Sequence, residues 1–417
     1  MPALLFIFYF LLLGYLLNRI KTVKNCGIAL PTVLLLFIIK VAAGIAVGLV
    51  SHYIFKDFID YVGNNYNGIK EYHSLFNTPK IFFTDLFTSN YAETGEFFGS
   101  KSSYWNDLRF NVIYKALAFT NILSSGNYYI NSLFFNFAGF IGSVLLYKVF
   151  IHVYPTKKWQ VIVGCFLLPS TLYFGSGLHK DLIVLTALSM FCYSLYFSLL
   201  NGFHRKRIAY LCLSFLTVLL LRNFVAVILL PCAITWVINK KYNFSAIKAF
   251  VALIIAGVIG TIALHNSSIK LDPLKIVADR QQAFFALGKA NTDYKMDTLQ
   301  PSFKSFAEQS PTAFRHSFLS PYPNEFNNVF MNLFSAEMIC YWVLFCIMLF
   351  VADKKLNSSD SFIAFGSTFA ILMLLFTGYI TPAAGALIRY RSIYFPFLIT
   401  TILCNINWKR IYNFLKY

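Results

Sequence analysis

Long apolar runs alternate with short polar segments along this chain, and a membrane-spanning helix needs about 20 mostly apolar residues. Eleven runs fit that need: about 3–18, 28–50, 128–147, 159–177, 182–200, 208–222, 224–238, 249–265, 329–351, 361–380 and 392–407. The pair flanking Arg222 is short, which predicts helices that are tilted, broken or longer than the runs themselves. Two wider polar stretches interrupt the series, at about 51–127 and 266–328. The pattern predicts an all-α polytopic membrane protein with about eleven transmembrane helices and two long structured external loops, 1–417 forming a single integral membrane domain. The first run lacks a basic leader and a small-residue cleavage site, so it reads as a retained helix.

Composition agrees. Hydrophobic residues make up 58% of the 417 positions and charged residues only 12%, against roughly 25% charge in soluble domains. One soluble core of this size cannot hide that much apolar surface. A secreted disulfide scaffold, a disordered chain and an ordinary cytosolic enzyme are excluded. The eight cysteines form no CxxC pair and none falls in a long loop, so they read as small apolar helix residues.

The net charge of +18 raises nucleic acid as a partner. Sorting the cations by side answers this. Seventeen Lys and Arg residues, against Asp353 and Asp360, fall in loops on one face, from Arg19 to Lys416. By the positive-inside rule that face is cytoplasmic. The N-terminus is then external and the C-terminus cytoplasmic. The two long loops on the other face are near neutral. Topology therefore accounts for the basicity, and no nucleic acid is expected.

The long loops are not Gly/Ser linkers. The first carries Tyr61, Tyr66, Tyr72, Phe76, Phe82, Tyr104 and Trp105 among other aromatics, which implies packing at the membrane interface or against the other loop. Apolar spacing over 68–76 and 108–124 suits helices lying along the surface. The second loop alternates charge and aromatic from Ala278 to Leu287, predicting a helix and then an irregular lid up to Pro321 and Pro323.

Several polar residues converge on the external face. Asp60 and Asp107 lie in the first loop; alone, each reads as a solvated or capping acid. Ser176-Gly-Leu-His179-Lys180-Asp181 joins two spans. Either Asp181 caps the next helix while Lys180 snorkels, or His179 and Lys180 point at a phosphate or sugar hydroxyl. Arg222 is either a snorkelling boundary residue or a guanidinium that forks onto a lipid phosphate. Arg389 and Arg391 open the last span on the wrong face for a topological signal, so an anion is expected: Glu325, Asp60 or a substrate phosphate. Glu337 and Lys40 lie inside spans, and an ion pair between them would account for both.

Arginines suit a phosphate or pyrophosphate leaving group, a carboxylate can deprotonate an attacking hydroxyl, and a long apolar partner would enter between helices. The arrangement resembles the GT-C glycosyltransferases that use lipid-linked sugars, such as protein mannosyltransferases and lipid A aminoarabinose transferases. Asp60-(x3)-Asn64-(x3)-Gly68-(x3)-Tyr72 is similar to the acid and following helix of their first external loop. Arg389-Tyr-Arg391 through Pro396 is similar to the Arg-Tyr stretch opening a late span. Tyr104-Trp-Asn-Asp107, Pro169-Ser through Asp181, and Arg222-Asn-Phe also resemble segments of bacterial membrane proteins grouped with that family. The chain departs from the pattern in three ways: the loop follows the second span, Tyr61 rather than a second acid follows Asp60, and no large soluble domain follows the last span.

The resemblance implies transfer of a sugar from a polyprenyl-phosphate-linked donor to a glycan, lipid or protein acceptor at a bacterial inner membrane. Asp60 would be the general base or orient the acceptor, with Asp107 second and Glu325 a further acid. Arg222, Arg389 and Arg391 would hold the phosphate, and His179, Lys180 and Asp181 would complete the anion site. No organic cofactor is implied, and a divalent metal stays open. The Ser-Gly-x-x-Lys turn and the external Arg pair also resemble repeat-unit polymerases of the Wzy or EpsG type. A flippase or exporter of lipid-linked glycan and a non-enzymatic scaffold are the rivals from other classes. Against them stand the clustering of polar residues at one face and the external arginines.

Overall fold

The computed structural model describes residues 2–54, 61–88, 103–267, 272–288, 290–326, 328–353 and 361–416. The chain is a multi-pass, all-α membrane protein by its helices. Among the described residues there is no β-strand, only isolated bridges at Asp293–Ala383 and Ala352–Ile406. Among the described residues nine helices are long and apolar enough to cross a membrane: Pro2–Arg19, Leu30–Ile54, Tyr128–Val153, Lys180–Asn201, Asn223–Tyr242, Ala246–His265, Val329–Phe350, Ser361–Ile380 and Ala384–Asn405.

Two of the eleven predicted runs do not appear as spans among the described residues. The run 159–177 is broken into Lys158–Phe166 and Pro169–Phe174. Pro169 lacks an N–H and drives the residue before it out of the helical region. The run 208–222 becomes Arg205–Leu221, 17 residues. That is about 26 Å at 1.5 Å per residue, short of the roughly 30 Å hydrocarbon core. It stops because Arg222 takes an extended conformation (φ −146°, ψ 73°) before the next helix starts at Asn223.

By their contacts the residues gather into two compact units. Unit 1 comprises Met1–Val149, Leu172–Ser198 and Phe203–Asn223. Phe37 anchors its apolar core, 1% exposed, with the rings of Phe10 and Phe140 at 5.9 and 5.5 Å. The first long loop contributes the helices Tyr61–Asn77 and Tyr104–Ser124, which contain the predicted segments 68–76 and 108–124. They pack closely because Gly68 meets the Leu117 side chain. Lys115 ties them further, bonding Glu71 at 2.9 Å and Asp85 at 2.6 Å. An asparagine chain continues inward: Asn131 donates to Asn65 at 2.8 Å and to Asn121 at 2.6 Å.

Unit 2 comprises Phe150–Thr171, Leu199–Gly202 and Phe224–Tyr417. Helix Ala384–Asn405 is its buried centre. Trp236, Phe362, Phe365, Phe369 and Phe397 pack as an aromatic cluster. The second long loop forms Pro273–Phe285, as expected, but the stretch predicted to be an irregular lid holds a second helix, Phe303–Phe314, and a π-turn, Arg315–Leu319. Ser302 caps that helix by accepting from Ser305 N at 3.3 Å. Pro311 is tolerated inside it because the Ser310 hydroxyl takes the Ala307 carbonyl that Pro311 cannot, at 2.9 Å.

Gly378 lets helix Ser361–Ile380 meet the loop, its α-carbon lying against the Ala313 carbonyl. Gly378→Ala forces that contact apart and is expected to cost about 1–3 kcal/mol, measurable as a lower thermal midpoint of the purified protein.

Candidate functional site

Each unit holds one buried polar cluster. In unit 1 it is built on the turn from Gly175 to Lys180. Gly177 sits at φ +76°, a left-handed conformation that favours glycine, and a β-carbon there would lie 3.0 Å from the Tyr128 hydroxyl. Side chains from three helices grip the turn's backbone. Lys40 Nζ donates to Gly175 O at 2.6 Å, Asn64 Nδ2 donates to Leu178 O at 3.0 Å, and Gly177 N donates to Asn136 Oδ1 at 3.1 Å. Buried polar groups must be bonded, and here each bond fixes the turn.

The turn delivers Asp181, 1% exposed, to Arg222, 4% exposed. The guanidinium donates from Nε at 2.9 Å and Nη2 at 2.6 Å to Asp181 Oδ1. Asp181 Oδ2 lies 2.9 Å from His179 Nδ1. His179 is itself buried, with the Tyr61 ring 4.9 Å away. This corrects one expectation. Arg222 is buried rather than snorkelling, and Asp181 is an anion it forks onto. Asp181 stands in the first helical turn, where its Oδ1 takes the fork of Arg222 and its backbone N–H donates to His179 Nδ1 at 3.2 Å.

Lys180 is half-buried with its ammonium 5.5 Å from the Phe110 ring. Asp107 lies three residues before Phe110, in the first turn of Tyr104–Ser124, where the helix dipole favours an acid. Asn64 and Gly68, four residues apart, share the buried face of Tyr61–Asn77. Asp60 lies outside the described residues.

The unit 2 cluster centres on Arg391. Helix Ala384–Asn405 begins earlier than predicted, so both arginines lie within it rather than before it. Arg389 is half-buried, its guanidinium 5.8 Å from the Tyr390 ring. Arg391 is 1% exposed. Its Nη1 donates to Ser320 O at 2.6 Å and Ser317 O at 3.3 Å and touches Met338 Sδ at 3.4 Å. Its Nε has no hydrogen-bond partner, and it forms no salt bridge among the described residues. The Glu337 carboxylate, held by Ser170, acts on it from beyond salt-bridge distance, and two peptide carbonyls with a carboxylate not in contact are weak compensation for a desolvated cation.

Glu325 is not the direct counter-ion of Arg391. Its carboxylate closes a turn, accepting from Ser320 Oγ at 2.5 Å and Tyr322 N at 2.9 Å. Ser320 links the two charges, its hydroxyl on Glu325 and its carbonyl on Arg391. Lys40 and Glu337 each find partners within their own unit. Lys40 is held by Gly175, while Glu337 accepts from Ser170 N at 3.0 Å, Ser170 Oγ at 2.9 Å, and the Tyr341 hydroxyl.

Sequence reasoning passed over His316 and Tyr294. Their rings stack at 4.1 Å, and His316 is fully buried with neither ring nitrogen hydrogen-bonded. Burial, then the adjacent Arg315 cation, holds the imidazole down to about 4, with Glu325 pulling the other way. Burial pushes Tyr294 up to about 12, against the pull of Ser320 and Arg391. The only sequence signal was a histidine inside an aromatic stretch, Phe314-Arg-His-Ser-Phe318.

Because the folded value of His316 lies below 6.5, the neutral ring's contribution is whole above about pH 6.5 and is lost as pH falls towards 4. Across that window wild type is expected to lose about 1–2 kcal/mol more stability than His316→Phe, after allowance for solvent screening. Paired melts at pH 7 and pH 4.5 measure this; identical pH slopes would contradict it.

Two apolar grooves flank helix Val329–Phe350 in unit 2. One, of about 550 Å³, is lined by Pro321, Tyr322, Ile339 and Cys346 among others. The other, of about 560 Å³, is lined by Phe318, Phe345, Phe395 and Ile402 among others. Leu319, Met338 and Trp342 line both. Met338 touches Arg391, and the Phe395 ring lies 5.5 Å from its guanidinium. Arg391 lines neither groove; Met338 stands between the grooves and the cation. Among the described residues no group of three or more His, Cys, Asp or Glu side chains is placed to hold a metal. Comparison with protein-family models, curated proteins and solved structures finds no match to this chain.

Proposed function

We propose that the chain is a membrane glycosyltransferase that moves a sugar from a polyprenyl-phosphate-linked donor to a glycan, lipid or protein acceptor on the external face of a bacterial inner membrane. One observation carries this reading: a desolvated guanidinium, Arg391, without a salt bridge among the described residues, in contact with Met338, which lines an apolar groove. An isoprenoid tail fits the groove, and a phosphate bonds Arg391 better than the Ser317 and Ser320 carbonyls do, because both partners are then charged. Arg391 holds the leaving phosphate, with Arg389 two residues away on the same helix. For the acid that activates the acceptor hydroxyl, the family resemblance offers Asp60 or Asp107 of the first long loop, as a residue choice and not as a geometry. Asp181 ties Arg222 to the turn, and the task of these residues in this reading is to position the turn at His179 and Lys180.

A second reading is favoured by the grooves themselves. Two of similar volume flank one helix and both reach Met338, as two lipid-linked substrates would require. That is the need of a repeat-unit polymerase.

Deleting the chain from its host should leave a polyprenyl-phosphate-linked sugar unspent in lipid extracts, removed by wild type and not by Arg391→Ala. Single repeat units on the carrier select the polymerase. An unchanged lipid extract overturns both readings.

A further inference from the structure

Beside Arg391, unit 2 buries several side chains whose hydrogen bonds are unmade. Both His316 nitrogens, the Thr381 hydroxyl and Arg391 Nε have no partner, and the Tyr294 hydroxyl has only Ser320 beside it. His316 and Thr381 are fully buried and Tyr294 is 8% exposed. Such atoms are rare in folded proteins, and each needs a reason.

These atoms are neighbours. Tyr294 stacks on His316. Its backbone N donates to Pro382 O at 2.8 Å, which sets it beside Thr381. Ala384 N donates to Thr292 O at 2.8 Å, so this stretch of the second loop is latched to the link before helix Ala384–Asn405. Ser317 and Ser320, next to His316, supply the carbonyls on Arg391. One small region therefore presents a cation together with neutral groups that both donate and accept.

We propose that Tyr294, His316 and Thr381 form a recognition subsite for the hydroxyls of a neutral glycosyl group attached to the phosphate on Arg391. The chemistry selects this ligand class. An imidazole, a phenol and an alcohol, all uncharged, match sugar hydroxyls, which also donate and accept. A second anion would call for further cations, and an apolar ligand would leave every one of these atoms unbonded. The proposal rests on the lipid-phosphate reading of Arg391 for the identity of the attached group.

The test uses the full chain in lipid nanodiscs with two kinds of probe: undecaprenyl phosphate, and a panel of undecaprenyl phosphates bearing a hexose or N-acetylhexosamine. His316→Phe and Tyr294→Phe keep the ring stack and remove only polar atoms. In wild type at least one sugar is expected to tighten binding by about tenfold over the bare carrier, roughly the worth of one to two hydrogen bonds. Both variants lose that gain, bind the bare carrier unchanged, and melt no lower than wild type. A gain that survives in both variants overturns the subsite, as does a lowered melting point, which would make the nitrogens structural. Wild type that binds the bare carrier and gains nothing from any sugar overturns the subsite and leaves the lipid-phosphate reading standing. Wild type that binds neither probe overturns both.

Discussion

Arg391→Met is expected to cut glycosyl transfer by about 100-fold or more, the usual effect of losing a preorganised charge contact to a leaving group, while the protein folds as well as before. Two terms nearly offset in its stability. Methionine removes a desolvated cation that forms no salt bridge among the described residues, a change that is often neutral or stabilising in proteins. It also strips a donor from the Ser317 and Ser320 carbonyls. The net change is expected within about 1–2 kcal/mol. Activity and thermal midpoint measured on the same preparation check it. A large fall in both would make Arg391 a structural strut.

Asp181→Ala behaves in the opposite way. Arg222 loses the carboxylate that takes both of its forked hydrogen bonds and remains 4% exposed. His179 loses the contact at 2.9 Å. Breaking a buried pair from one side costs about 3–5 kcal/mol, because the remaining charge is stranded. Removing both charges relieves most of that, so Asp181→Leu with Arg222→Met should recover much of the loss. The single and double variants, compared by thermal midpoint, give the coupling directly. A double variant no better than the sum of the singles would contradict the pairing.

The nine spans and the two first-loop helices were legible because each is a local pattern: an apolar run of the right length, or apolar spacing on one helical face. The two runs that are not single long helices are interrupted at particular residues. Pro169 breaks one, and the extended backbone at Arg222 ends the other. Helix Phe303–Phe314 was hidden by Pro311, whose lost hydrogen bond is repaired by Ser310, a compensation no pattern shows.

Candidate site residues were legible as misplaced charges, since a charge inside an apolar run always needs a partner. Their partners were not. Arg222 and Asp181 are 41 residues apart, and Arg391 reaches Ser320 across 71. Such pairings are set by packing rather than by sequence proximity. His316 escaped because nothing about a single histidine announces that its nitrogens will be left unbonded.

The measurement that bears most directly on the lipid-linked reading is photo-cross-linking. An undecaprenyl phosphate carrying a diazirine on its tail is bound to the full chain and illuminated, and the labelled peptides are identified by mass spectrometry. The account predicts label on Trp342, Phe345 or Ile402, lost on competition with unlabelled carrier and sharply reduced in Arg391→Met. Label spread evenly over the exposed helices, indifferent to competitor and to Arg391, would contradict it.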